Sequence, residues 1–120
     1  MGGASAKRKG SRIELEVAKA LDAIPGVSAR KTPLSGAMGG VWSGDIRCAI
    51  RSTGEDFVVE VKARKNGFKV LDGWLEGNDV LVVRADRSDP RVYLTWDAFA
   101  GLLEAAAAPR QSIAPGGGQT

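Results

Sequence analysis

The run Phe57-Val58-Val59-Glu60-Val61-Lys62 decides how this chain is read. A β-strand sends alternate side chains to opposite faces, so Glu60 and Lys62 share one face while Val59 and Val61 pack the other. Two opposite charges thus stand together on an otherwise apolar strand. Upstream, Asp45 opens a second apolar stretch, Asp45-Ile46-Arg47-Cys48-Ala49-Ile50. A hairpin turning at Ser52-Thr53-Gly54-Glu55-Asp56 would set Asp45 beside Glu60. That layout is expected of an oxygen-rich site for a divalent metal.

Working outward toward the N-terminus, Ser11 with Glu14 three residues on has the capping-box pattern, and Ile13, Val17, Leu21 and Ile24 recur at helical spacing until Pro25-Gly26. The spacing predicts a first helix over 12–24. At about 100° per residue, Glu14 falls about 50° from the centre of this apolar stripe, while Glu16 falls on the opposite side. Glu14 is therefore expected to face the sheet. Its plainer reading is the capping box itself.

The remaining elements follow the same punctuation. A short strand over 27–31 precedes a Gly-rich loop, 32–44, that contains Pro33, Gly36, Gly39 and Gly40. Strands at 45–51 and 56–63 form the hairpin, and 68–77 reads as a short, poorly capped helix. Val80-Leu81-Val82-Val83 has the look of a central strand covered on both faces. Val92-Tyr93-Leu94 adds another strand, and Thr95 caps a last helix, 96–107. The order predicts an α/β (α+β) fold, with one central mixed β-sheet flanked by helices. Residues 1–9 are expected to be a flexible basic arm, 10–107 the folded domain and 108–120 a disordered tail.

Composition narrows the chemistry. The 120 residues suit one domain. A single cysteine, Cys48, leaves no internal disulfide and no multi-cysteine zinc site, and the absence of histidine removes Ser-His and Cys-His catalysis. No stretch reaches the roughly 20 apolar residues of a bilayer span, and the start lacks a secretory signal's apolar core. A cytoplasmic protein without a membrane partner is expected. The net charge is +3 and the pI about 9.3. Its cations cluster as Lys7, Arg8, Lys9 and Arg12, then Arg30 and Lys31, then Arg64 and Lys65, with Lys69 nearby. These are the candidate contacts to a polyanion such as DNA; a solvated surface is the alternative.

Glu14, Asp45 and Glu60, if they converge, repel one another unless a cation sits between them, and an oxygen-only site suits Mg²⁺ or Mn²⁺. Lys62 would then stand beside a metal able to supply hydroxide and to stabilise charge on a phosphate. The expected chemistry is phosphodiester hydrolysis. The competing reading of Glu60 and Lys62 is a cross-strand ion pair worth ~0.2–1 kcal/mol.

The ordered pattern Lys9-Gly10-Ser11-x-x-Glu14, Pro33-x-Ser35-Gly36, Gly44-Asp45-Ile46 and Glu60-Val61-Lys62-x-Arg64-Lys65 resembles the archaeal-type Holliday junction resolvases and their bacteriophage relatives. These belong to the PD-(D/E)xK nuclease superfamily. The resemblance implies a restriction-endonuclease-like core. It makes Glu14, Asp45 and Glu60 metal ligands, with the Val61 carbonyl as a further one. Lys62 would orient water or steady the phosphorane, and Ser35 would lie near the scissile phosphate. It also implies a homodimer acting on four-way DNA junctions in recombination and repair, with Mg²⁺ as cofactor; the alternatives are a nuclease of the same superfamily acting on other branched or linear DNA, or a DNA-binding module that keeps the fold without cutting. Gly44 stands where the superfamily's name has proline, Leu15 where archaeal members often carry arginine, and Lys31 where arginine is common.

Overall fold

The computed structural model describes the backbone of residues 2–32 and 45–109, and the side chains of 10–32 and 45–109. The elements in chain order are α1 (Gly2–Asp22), β1 (Val27–Lys31), β2 (Ile46–Ile50), β3 (Asp56–Val59), α2 (Lys69–Leu75), β4 (Val80–Val83), β5 (Arg91–Leu94) and α3 (Trp96–Ala107).

Helix α1 begins at Gly2, upstream of the expected start at 12. Ala4, Ala6, Lys7, Arg8 and Lys9 are strong helix formers that carry the helix through Gly10. Lys7, Arg8 and Lys9, expected on a mobile arm, therefore lie on helical backbone. Ser11 sits inside the helix rather than at its cap, and its hydroxyl accepts a hydrogen bond from Lys31 Nζ at 3.1 Å.

Strands β1, β2 and β3 form an antiparallel sheet in that order, with Val27 opposite Ile50 at one end and Ile46 opposite Val59 near the other. The turn between β2 and β3 closes where expected. Gly54 adopts a positive φ of 77° and donates to the Ile50 carbonyl at 2.9 Å. Strands β4 and β5 pair antiparallel as a separate two-stranded sheet. The α+β class and the flanking helices match expectation, while the single mixed sheet is replaced by two antiparallel ones among the described residues.

One face of the larger sheet holds the core. Ala18, Leu21 and Ile24 pack on Val27, Ile46, Cys48 and Ile50, and α3 adds Leu103 and Ala107. Each fully buried large aliphatic side chain contributes about 1.5–3 kcal/mol. Helix α3 is fixed at both ends. Its first turn is capped by Thr95, whose hydroxyl accepts from the Ala98 N–H at 3.1 Å, and its last carbonyl, that of Ala107, accepts from Ser52 Oγ at 3.0 Å. Gly26 lies so near that a Cβ built there would stand 2.6 Å from Ala107 Cβ.

Strand β4 corrects another expectation. Val80 and Val82 are 45% and 61% exposed, so this apolar run is not a strand covered on both faces. Its half-buried residues, Leu81 and Val83, share the side of β5 that carries Tyr93. The Tyr93 hydroxyl hydrogen-bonds Asp72 of α2, which fastens helix and sheet together.

Candidate active site

The site is built at the end of the three-stranded sheet where β1 stops, β2 starts and β3 ends. Asp45 is 7% exposed, and three groups hold it. Its N–H donates to the Val59 carbonyl at 2.8 Å, its carbonyl accepts the Thr32 N–H at 3.0 Å, and its Oδ2 accepts the Val61 N–H at 2.7 Å. A carboxylate oxygen thus takes the place of a main-chain carbonyl beside β3, and regular pairing stops after Val59. A buried carboxylate is tolerable because charge-assisted bonds of this kind offset its desolvation.

Beyond Val59 the alternation of the strand persists. Phe57, Val59 and Val61 are half-buried, whereas Val58, Glu60 and Lys62 are exposed. Glu60 Oε2 and Lys62 Nζ stand 3.0 Å apart. The hydrogen bond and the charge of Glu60 raise the Lys62 ammonium above the ordinary lysine range, and the charges of Asp45 and Glu14 add to the effect. Lys62 is thus an exposed positive charge paired with Glu60 and within the field of Asp45 and Glu14.

Glu14 faces the sheet, as its helical phase predicts, and Glu16 is exposed. The Glu14 carboxylate lies 3.4 Å from Lys31 Nζ, with the two side chains 22% and 31% exposed respectively. Lys31, expected as a phosphate contact, therefore links β1 to Glu14 and Ser11 of α1. The signal for this was present in the sequence, since Val27, Ala29 and Lys31 alternate onto the face that meets the helix. Thr32 was not anticipated. It is 4% exposed and secures the Asp45 carbonyl from the β1 side.

Of the other expected residues, Arg12, Arg30, Arg64 and Lys65 are exposed. The side chains of Lys7, Arg8 and Lys9 lie outside the described residues, as do Ser35, Trp42 and Gly44. Among the described residues, no three of His, Cys, Asp or Glu are gathered closely enough to enclose an ion as the side chains stand. Glu14 and Glu60 are each turned to a lysine. The donor set still fits a hard dication. It is all oxygen, and two of its members, Glu14 and Glu60, sit on rotatable arms.

A helical glutamate, an aspartate at the start of β2 and Glu-x-Lys at the end of β3, brought to one end of an antiparallel sheet, place the chain in the PD-(D/E)xK nuclease class. The family model described as "Phage putative PDDEXK endonuclease" matches residues 5–113, and the chain belongs to that family. No curated protein and no solved structure matches it. The superfamily and the bacteriophage connection expected from the motifs are thus shown, and the family points to nuclease activity. No helix among the described residues is long and apolar enough to cross a membrane.

Proposed function

We propose that the protein is a structure-selective DNA endonuclease that resolves four-way junctions by metal-dependent phosphodiester hydrolysis. The observation that carries this reading is Lys62, held 3.0 Å from Glu60 and within the field of Asp45 and Glu14. Glu14, Asp45, Glu60 and the Val61 carbonyl would hold Mg²⁺, with Mn²⁺ as a substitute. A metal held there would supply Lewis acidity and an activated water.

The chain's own residues do the rest. Asp45, immobilised by Val61, Thr32 and Val59, fixes the end of the sheet against which the scissile phosphate is placed. Lys62 would orient the attacking water or steady negative charge on the phosphate. Lys31 restrains Glu14. Arg12, Arg30, Arg64 and Lys65, with Lys7, Arg8 and Lys9 on α1, give DNA contacts that follow backbone shape and charge rather than base sequence. Ser35 would act near the phosphate. A homodimer would present two such sites to symmetrically placed strands.

A second reading is a nuclease of the same chemistry acting on other branched or linear DNA, which the family's broader description favours. Cleavage of a four-way junction, a flap and a linear duplex, with Mg²⁺ and with EDTA, tests both. Paired symmetric nicks on the junction alone support resolution. Cutting of all three supports the broader nuclease. Mg²⁺-insensitive binding without products contradicts both readings.

A further inference from the structure

The turn that follows Lys62 has no part in the hydrolytic chemistry, yet it is a constructed feature. Gly67, at φ 71°, donates to the Arg64 carbonyl at 3.1 Å. The chain folds back so that the Arg64 guanidinium carbon lies 5.3 Å from the centroid of the Phe68 ring. The Phe68 N–H donates to Asp72 Oδ2 at 3.3 Å, which anchors the ring at the start of α2. Beside this pair is an open surface depression of about 480 Å³ lined by Arg64, Asn66, Phe68, Lys69 and Leu71.

These groups match one ligand chemistry. An aromatic face beneath a guanidinium stacks a nucleobase, with the cation–π attraction extending to the base. Lys69 and Arg64 offer charge to a phosphate. The Asn66 amide offers both a donor and an acceptor to a base edge. The Cα atoms of Lys62 and Arg64 are at most ~7 Å apart, so this depression begins on the segment that carries the lysine of the proposed site. A base inside an intact duplex is stacked on both sides and has no face to offer Phe68. An unpaired base has.

We propose that the Arg64–Phe68 pocket binds one unpaired nucleotide next to the scissile phosphate, and that this contact favours branched or frayed DNA over continuous duplex. The proposal rests on the nuclease reading for its position but not for its measurement, since binding can be read in EDTA without any cutting. Phe68→Leu keeps apolar volume and removes the ring, while Phe68→Tyr keeps the ring. The probes are a labelled oligothymidylate single strand and a blunt, fully paired linear duplex, followed by fluorescence anisotropy.

Phe68→Leu should weaken oligothymidylate binding by about 5- to 100-fold, leave duplex binding unchanged and be rescued by Phe68→Tyr. Equal losses on both probes, or no loss on either, would overturn the proposal. Amide chemical shifts of Asn66, Phe68 and Lys69 in the unmutated protein give a second reading. The Phe68 and Lys69 amides should move further on titration with oligothymidylate than with the blunt duplex, and identical responses to both would also overturn it. A protein that binds this way but cuts no DNA would sink the nuclease reading and leave the pocket standing.

Discussion

The Val61 N–H donates to the Asp45 carboxylate across 2.7 Å, so the residue between Glu60 and Lys62, just past β3, is hydrogen-bonded to the acidic candidate just before β2. This one bond ends the regular pairing of the strands and sets where Glu60 and Lys62 emerge. Asp45 therefore has a structural role that can be separated from its chemical one. Asp45→Ala removes a charged acceptor and should cost about 1.5–3 kcal/mol in a urea titration. Asp45→Asn keeps an acceptor and should lose much less stability while losing cleavage. Equal stability losses in the two variants would contradict the separation.

Cys48 gives a prediction about pH. Burial, chiefly, raises its thiol above the ordinary cysteine range, and the charge of Asp22 adds to this. A group that binds its proton more tightly in the folded state contributes stability that is complete below the unfolded value and is lost as pH rises from there through the folded value. The native protein should therefore resist thiol reagents at pH 8 and react on unfolding. Its stability should decline above about pH 9, and Cys48→Ala should remove that part of the decline. Rapid alkylation of the native thiol would contradict its placement in the core.

Gly26 has a positive φ of 82° and no room for a side chain against Ala107. Gly26→Ala should lose ~1–2 kcal/mol from the left-handed backbone and a further ~1–3 kcal/mol from overpacking. Thermal denaturation measures the sum. Ala107→Gly in the same background should recover part of the loss, because it removes the atom that clashes.

The hairpin and the phase of Glu14 were legible in sequence because each rests on a local period. Alternation put Phe57, Val59 and Val61 on one side, and the helical repeat turned Glu14 toward the sheet. The Thr95 cap likewise predicted α3 as found, Trp96–Ala107. The start of α1 was not legible, since Ser11 and Glu14 satisfy a capping-box pattern and sit equally well in mid-helix. What distinguishes the two is Lys31, a partner 20 residues away. The exposure of β4 was hidden for a similar reason. Val80 to Val83 reads as buried, and only the pairing with β5 alone leaves Val80, Val82 and Val92 open. The Thr32 contact depends on the register of β1 against β2, which no local pattern encodes.

Lys31 separates stability from catalysis on the helix side. Its pair with Glu14 is partly exposed and worth no more than about 1 kcal/mol. Lys31→Met should thus barely change the thermal midpoint, and it should lower the cleavage rate by freeing Glu14 to move. An unchanged rate would show that Glu14 needs no such restraint.

The central claim, that Glu14, Asp45, Glu60 and Lys62 cut DNA with a bound metal, is tested most directly by Glu60→Gln. Cleavage of a four-way junction in Mg²⁺ is measured beside junction binding in EDTA. The wild-type chain should cut only with Mg²⁺, and the variant should bind within about twofold of wild type and yield no product, because a ligand is lost while the basic surface is kept. Product formation in EDTA, or cutting by Glu60→Gln at the wild-type rate, would contradict the account.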